Sequence, residues 1–248
     1  MSYAIYPSLK SRAVVISGGA SGIGAAMVRA FCEQGAKVGF LDFDRDAGAA
    51  LAIETGAEFA FCDLRDVEAL RGALAQLKAK NGAASVLVNN AARDDRHDWR
   101  DVTQEYWDER MATNLRHMFF AIQSVAPDMI TAGGGSIINM GSNSWFEAVG
   151  NFPAYATAKS AVHGLTRTMA RDLGHHKIRV NTVVPGWVMT DRQKDKWVTP
   201  DALERCLARQ CIHEPLLPHH LARMVLFLAS DDAEMCTAND YMVEAGSI

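Results

Sequence analysis

Cysteine is scarce. Five of 248 residues are cysteine (Cys32, Cys62, Cys206, Cys211 and Cys236), an odd, scattered set with no C-x-x-C pair. That excludes a disulfide framework and a cysteine-based zinc site, and a reducing cytoplasm is the expected compartment. No apolar run approaches the roughly 18 residues of a membrane span; Met224 to Ala229 is the length of one buried element. The segment Met1 to Pro7 lacks a basic stretch followed by an apolar one, so no secretion signal is read there. Positive charge is not in excess: 25 Lys and Arg stand against 29 Asp and Glu. The net charge of −4 and pI near 6.1 argue against binding a nucleic-acid backbone. There is no internal repeat, low-complexity tract or linker; Gly133-Gly134-Gly135 is too short to divide domains.

What is present fits an ordinary globular chain, with 49% hydrophobic and 22% charged residues. Short apolar runs at Ala13 to Ser17, Lys37 to Asp42, Glu58 to Cys62, Ser85 to Asn89, Ser136 to Met140, Arg179 to Val184 and Tyr241 to Val243 read as strands. Between them lie amphipathic patterns at Ile23 to Gln34, Ala69 to Lys80, Trp107 to Ile130 and Ala154 to Leu173. Gly35 and Gly174 follow two of these as C-terminal stops. The alternation predicts an α/β fold with a parallel sheet covered on both faces.

The glycine-rich turn Ser17-Gly18-Gly19-Ala20-Ser21-Gly22-Ile23-Gly24 lies between the first strand and the first helix. Glycines there let the backbone approach a pyrophosphate, and the helix presents free N–H groups to the anion. Gly18, Ser21, Gly22, Ile23 and Gly24 are the candidate phosphate cradle. Asp42 ends the second strand, near the roughly 20-residue spacing at which an acidic side chain accepts from the adenosine ribose and repels a 2′-phosphate. That predicts NAD over NADP, with Arg45 the one nearby cation able to fold back toward a phosphate; the alternative is that Asp42 caps the next helix. Asp63 and Leu64 close the third strand and Asn90 and Ala91 the fourth, where strand ends meet the ligand crevice; Asp63 can accept from the adenine amino group.

Tyr155 and Lys159 are spaced i, i+4 and share one helix face. A phenol titrating near pH 10 is a poor base; a nearby ammonium and a cationic nicotinamide favour the phenolate. Bringing it near 7 takes roughly 4 kcal/mol of differential stabilisation. A phenolate can then take the proton of an alcohol as hydride leaves. Ser142, just past the fifth strand, is placed to hold the substrate oxygen, whereas Ser144 is expected to point elsewhere. Asn114 can bind a water on a proton route from Lys159, or be a satisfied core amide.

In this order these motifs, together with Asn89-Asn90-Ala91 and Pro185-Gly186, resemble the short-chain dehydrogenase/reductase family along essentially the whole chain. The resemblance implies one Rossmann domain over residues 1–248 with a seven-stranded parallel sheet. It makes Tyr155 the general base or acid. Lys159 holds the nicotinamide ribose and depresses the tyrosine pKa, Ser142 orients substrate, Asn114 supports the relay, and Pro185, Gly186, Val188 and Thr190 frame the carboxamide. Ser17 replaces the usual Thr and Ala92 the usual Gly of Asn-Asn-Ala-Gly. A closer similarity, to the bacterial sugar dehydrogenases of that family such as D-xylose 1-dehydrogenases, lies in Asp94-Asp95-Arg96-His97, Tyr106 to Arg110, Asn114 to His117, Arg192-Gln193 and Leu228 to Asp232. Members of the family pair their long helices between subunits, so a homotetramer is expected.

Two substrate loops are expected, at about 142–153 and 187–215. Asn143, Glu147 and Asn151 can hydrogen-bond hydroxyls and Trp145 can pack on a sugar face, or Trp145 and Phe146 pack beneath the loop. Trp187 opens the second loop, where Arg192 would receive a carboxylate if the substrate is a sugar acid, and is otherwise a solvated lid charge. His97 and Asp98 lack a clear third ligand, so no metal is expected. The function expected is NAD-dependent oxidation of an aldose at C1 to its lactone. The alternatives are oxidation of a secondary alcohol on a keto-deoxy sugar acid or polyol, and a non-catalytic NAD-sensing interaction protein.

Overall fold

The computed structural model describes residues 3–248. Seven strands form one parallel sheet: β1 (Ala13–Ser17), β2 (Lys37–Asp42), β3 (Glu58–Phe61), β4 (Val86–Asn89), β5 (Gly135–Met140), β6 (Ile178–Pro185) and β7 (Asp240–Val243), in the order β3-β2-β1-β4-β5-β6-β7. The order reverses between β1 and β4, which opens a crevice at their C-terminal ends. Every strand end in the sequence reading agrees within one residue, because a parallel strand buried on both faces is a continuous apolar run bounded by polar turns.

The two-residue period of a strand divides the core. Val14, Ile16 and Phe40 pack with Met27 and Phe31 of α1 (Gly22–Glu33) and Leu221 and Val225 of α9 (Pro218–Ala229). Val15 and Leu41 pack on the opposite face, with Leu77 of α3 (Val67–Asn81), Ile122 of α5 (His117–Ala132) and Leu173 of α6 (Pro153–Leu173). The pattern from Trp107 is one rod, but not a uniform helix. It runs from α4 (Gln104–Met111) through a π-helical turn at Ala112–Arg116 into α5. Such wide turns recur at functional sites, and this one carries Asn114.

The helices α2 (Arg45–Thr55), α7 (Asp191–Lys196) and α8 (Pro200–Arg209) were not among the amphipathic patterns read from the sequence. Few of their residues are buried (Gly48 and Leu51 in α2, none in α7, Cys206 in α8), so caps hold their ends instead. The side chains of Asp44, Thr190 and Thr199 accept from Ala47, Gln193 and Ala202 N–H groups respectively. Among the described residues no helix is long and apolar enough to cross a membrane.

Candidate active site

A cavity of about 630 Å³ runs along the crevice from Asp42 to α8. At its centre Gly18 takes the left-handed region (φ 65°), and its N–H donates to the Leu41 carbonyl at 2.7 Å. Asn90 Nδ2 donates to the carbonyls of Ser17 and Gly18 at 3.1 and 2.9 Å, and the Ser17 hydroxyl accepts from Asn90 and Ala91 N–H groups. Asn90 thus braces the turn against β4. Ser21 sits at the N-cap of α1 but its side chain caps nothing, so the first N–H groups of that helix stay free beside the cavity. These features fit a dinucleotide pyrophosphate.

Asp42 is 8% exposed; its oxygens accept from Ala20 N–H at 2.9 Å and Asp44 N–H at 3.1 Å, and it lines the cavity. It does not cap α2; Asp44 does. Arg45 stays outside the lining, its guanidinium 3.4 Å from the Phe61 ring centroid. Asp63 departs from expectation. Its carboxylate is gripped by Arg65 and held below the usual carboxylate range, while Cys62, Leu64 and Arg65 line the cavity in its stead. Gly22, Ile23, Gly24, Ala91, Pro185, Gly186, Val188 and Thr190 all line the wall.

Tyr155, Lys159 and Ser142 converge where that wall meets β5. Ser142 lines the cavity beside the phenol and favours its ionised form. Contrary to expectation Ser144 faces the site, its hydroxyl 2.9 Å from that of Ser142. The Lys159 ammonium donates to the Met140 carbonyl at 2.7 Å and lies 5.8 Å from the Tyr155 ring centroid. Burial pushes it down to about 7, against the opposing pull of Asp94. Tyr155 is pushed up, by burial first and Asp94 second, with Ser142 and Arg96 opposing. The chain's own groups thus pull the phenol in both directions, and the cationic nicotinamide invoked beside the ammonium would add to the side that favours ionisation. Asn114 is fully buried; its Oδ1 accepts from Arg93 N–H at 2.7 Å and its Nδ2 has no partner among the described residues, so the amide is satisfied only in part.

One turn further, His117 Nε2 donates to the Ala91 carbonyl at 3.1 Å. Burial, aided by Lys159, lowers His117 to about 4. As pH falls from the ordinary 6.5, the unfolded chain takes up a proton that the native site refuses. Stability present above pH 6.5 is then lost down to about pH 4, on the order of 3 kcal/mol. His117→Gln keeps a donor for Ala91 and is expected to flatten this part of the profile of urea midpoint against pH; an unchanged slope would reject His117 as its source.

At the substrate end Asn143 Nδ2 donates to Glu147 Oε1 at 2.6 Å and to the Ser247 hydroxyl at 3.2 Å. Glu147 also pairs with Arg209 at 3.2 Å, so α8 and the C-terminal segment close this wall. Trp145 is not in the wall. The short turn Asn143–Trp145, capped by Ser142, carries its indole against Phe146 (centroids 3.7 Å apart), and its Nε1 donates to His163 at 3.1 Å. Trp187 and Arg192 line the cavity, but Arg192 is no free receiver of a carboxylate. It pairs with Asp95 at 2.6 Å and Asp94 at 3.5 Å, while Gln193 links Trp187 to Asp94. The sequence reading missed Asp94, Arg96, Arg209 and Ser247 as lining residues; no local spacing marks them. Among the described residues no group of three His, Cys, Asp or Glu side chains could hold a metal ion.

A family model described as Enoyl-(Acyl carrier protein) reductase matches residues 18–247. The chain is 48% identical to a D-xylose 1-dehydrogenase of Caulobacter vibrioides, covering 99% of each. It is 44% identical to a probable galactose dehydrogenase of Rhizobium meliloti, over 97% of this chain and 96% of the relative. A solved blue fluorescent protein from a metagenomic library, in complex with NADPH, superposes with a TM-score of 0.89 at 31% identity, covering 97% of this chain and 99% of that one.

Proposed function

Since the chain belongs to the short-chain dehydrogenase/reductase family, we propose that it is an NAD-dependent sugar dehydrogenase that oxidises an aldose at C1 to the aldonolactone. The observation that carries this reading is the convergence of Ser142, Tyr155 and Lys159 beside an anion cradle in a pocket lined by hydroxyl and amide side chains. The dinucleotide, when bound, supplies the hydride acceptor. Ser142 and Ser144 hold the sugar hydroxyl, and Tyr155 takes its proton. Lys159 supplies positive charge behind the phenol, and Asn114 Nδ2 is a buried donor suited to hold a water on the path to solvent. The pocket favours a polyhydroxylated substrate because Asn143, Glu147 and Ser247 present polar atoms where an acyl chain would need an apolar wall. The relatives named for xylose and galactose support the same class. The engagement of Arg192 with Asp94 and Asp95 weighs against a sugar acid.

NAD is favoured because Asp42 faces the cavity and the arginines that follow β2 and β3 are turned elsewhere: Arg45 lies on Phe61 outside the cavity lining, and Arg65 is held by Asp63 and Glu109. Asp42→Ala removes a charged acceptor worth roughly 1.5–3 kcal/mol. The NAD over NADP ratio of kcat/KM is expected to fall at least about tenfold; unchanged selectivity would remove Asp42 from cofactor choice. The reading extends to a cytoplasmic homotetramer, in which Trp107 and Phe119, exposed on the α4–α5 rod, would be covered. The deciding experiment is NADH formation across aldoses, polyols and sugar acids. Turnover of pentoses or hexoses supports the reading; turnover of sugar acids or polyols alone replaces the substrate class, and none at all returns the chain to an NAD-sensing role.

A further inference from the structure

We propose that Arg96 is a positioning residue for Tyr155: its guanidinium keeps a permanent positive charge one aromatic ring away from the phenol. The inference rests on the dehydrogenase reading above. The guanidinium lies 4.2 Å from the Phe152 ring centroid, and the Phe152 ring is 5.4 Å from that of Tyr155 at an interplanar angle of 33°. Phe152 is 3% exposed and immediately precedes α6, so the stack is anchored to the helix that carries Tyr155. Trp197, which follows α7, brings a second ring to 5.5 Å from the same guanidinium. Arg96 therefore lies against aromatic rings from two separate segments of the chain.

Its charge is free. The other arginines at this end are paired: Arg93 and Arg110 with Asp95, Arg192 with Asp94 and Asp95, Arg209 with Glu147. Among the described residues no carboxylate pairs with Arg96. A guanidinium stacked on rings and left without a counter-ion projects its field into the cavity it lines.

The site needs such a charge. Lys159 is buried and its ammonium is lowered to about 7, so without a bound partner its charge fades over the pH range in which a phenolate is wanted. A guanidinium does not lose its proton there. The charged and titratable groups facing the stack are Lys159 on the same helix, Asp94, Arg96, His97 and Asp98 on the loop after β4, Arg192 of α7 through Asp94, and His117 of α5 through Lys159. Asp94 opposes ionisation of the phenol and Arg96 favours it. One loop thus sets two opposite charges on the same tyrosine.

Arg96→Met keeps an apolar stem on Phe152 and removes the charge; Arg96→Lys keeps the charge. Two readouts apply to the NAD-loaded protein: the acid limb of kcat/KM against pH with an aldose, and the ultraviolet titration of Tyr155, each variant taken as a difference against the same variant carrying Tyr155→Phe. In Arg96→Met both midpoints are expected to rise by about one pH unit, a tenfold loss of rate on the acid limb. Arg96→Lys is expected to restore more than half of that shift. Unmoved midpoints in Arg96→Met overturn the proposal, whether rate falls equally at every pH, as for a packing role, or KM alone rises, as for a substrate contact. If no aldose is oxidised by the parent protein, the dehydrogenase reading fails by itself, and the titration still decides the role of Arg96.

Discussion

Tyr155→Phe is expected to lower kcat by roughly 10²–10⁴-fold, the span of general acid–base catalysis, while leaving the affinity for NAD nearly unchanged. The two effects separate because the side chain does two things. Its ring packs against Phe152 at 5.4 Å and holds the floor of the cavity, which phenylalanine preserves. Its oxygen is the acceptor beside Ser142, which phenylalanine removes. Neither neighbour replaces it. Ser142 and Ser144 bond each other and lack a base to draw off their protons, and Lys159 already donates to the Met140 carbonyl. The check is steady-state turnover together with NAD binding by fluorescence titration. Residual activity within tenfold of the parent would mean that another group takes the proton. Loss of NAD binding would mean instead that the hydroxyl builds the cofactor site.

The placement of Tyr155, Lys159 and Ser142 along the crevice was legible because it follows from periodicity and topology. Positions i and i+4 of a helix share a face, and the C-terminal ends of parallel strands share an edge. Strand ends were legible for a similar reason, since burial on both faces leaves an unbroken apolar run. What was not legible is where long side chains turn when several partners compete. Asp63 stands at the expected strand end, yet Arg65, two residues on, captures it. Trp145 stands on the expected loop, yet His163 of α6 draws its indole away from the cavity. Arg192 stands on the expected lid, yet two aspartates from the loop after β4 take its guanidinium. Ser247 enters the wall from the far end of the chain, a closure that the local pattern around Asn143 does not signal. The opposing effects on Tyr155 likewise depend on depth of burial, which no spacing encodes.

Gly24→Ala is expected to weaken NAD binding by at least about 100-fold, roughly 3 kcal/mol. A Cβ at Gly24 would lie 1.8 Å from the Gly18 carbonyl oxygen and 2.9 Å from Asn90 Nδ2. The first contact is with backbone and cannot be relieved by turning a side chain. Either the first turn of α1 moves off the Gly18 turn, or the Asn90 bonds that tie the turn to β4 break. Both displace the free N–H groups from the pyrophosphate position. The same change at Gly72 is the control. Gly72 lies in α3 and a Cβ there meets nothing within 4 Å, so Gly72→Ala adds only helix propensity. It should stabilise the fold by about 0.5–1 kcal/mol, a rise in Tm of a few degrees, with NAD affinity untouched. Calorimetric titration with NAD and thermal unfolding of both variants read the contrast. Equal NAD affinities for the two would show that the cradle tolerates a methyl group, and that the close approach at Gly24 is not what shapes the phosphate site.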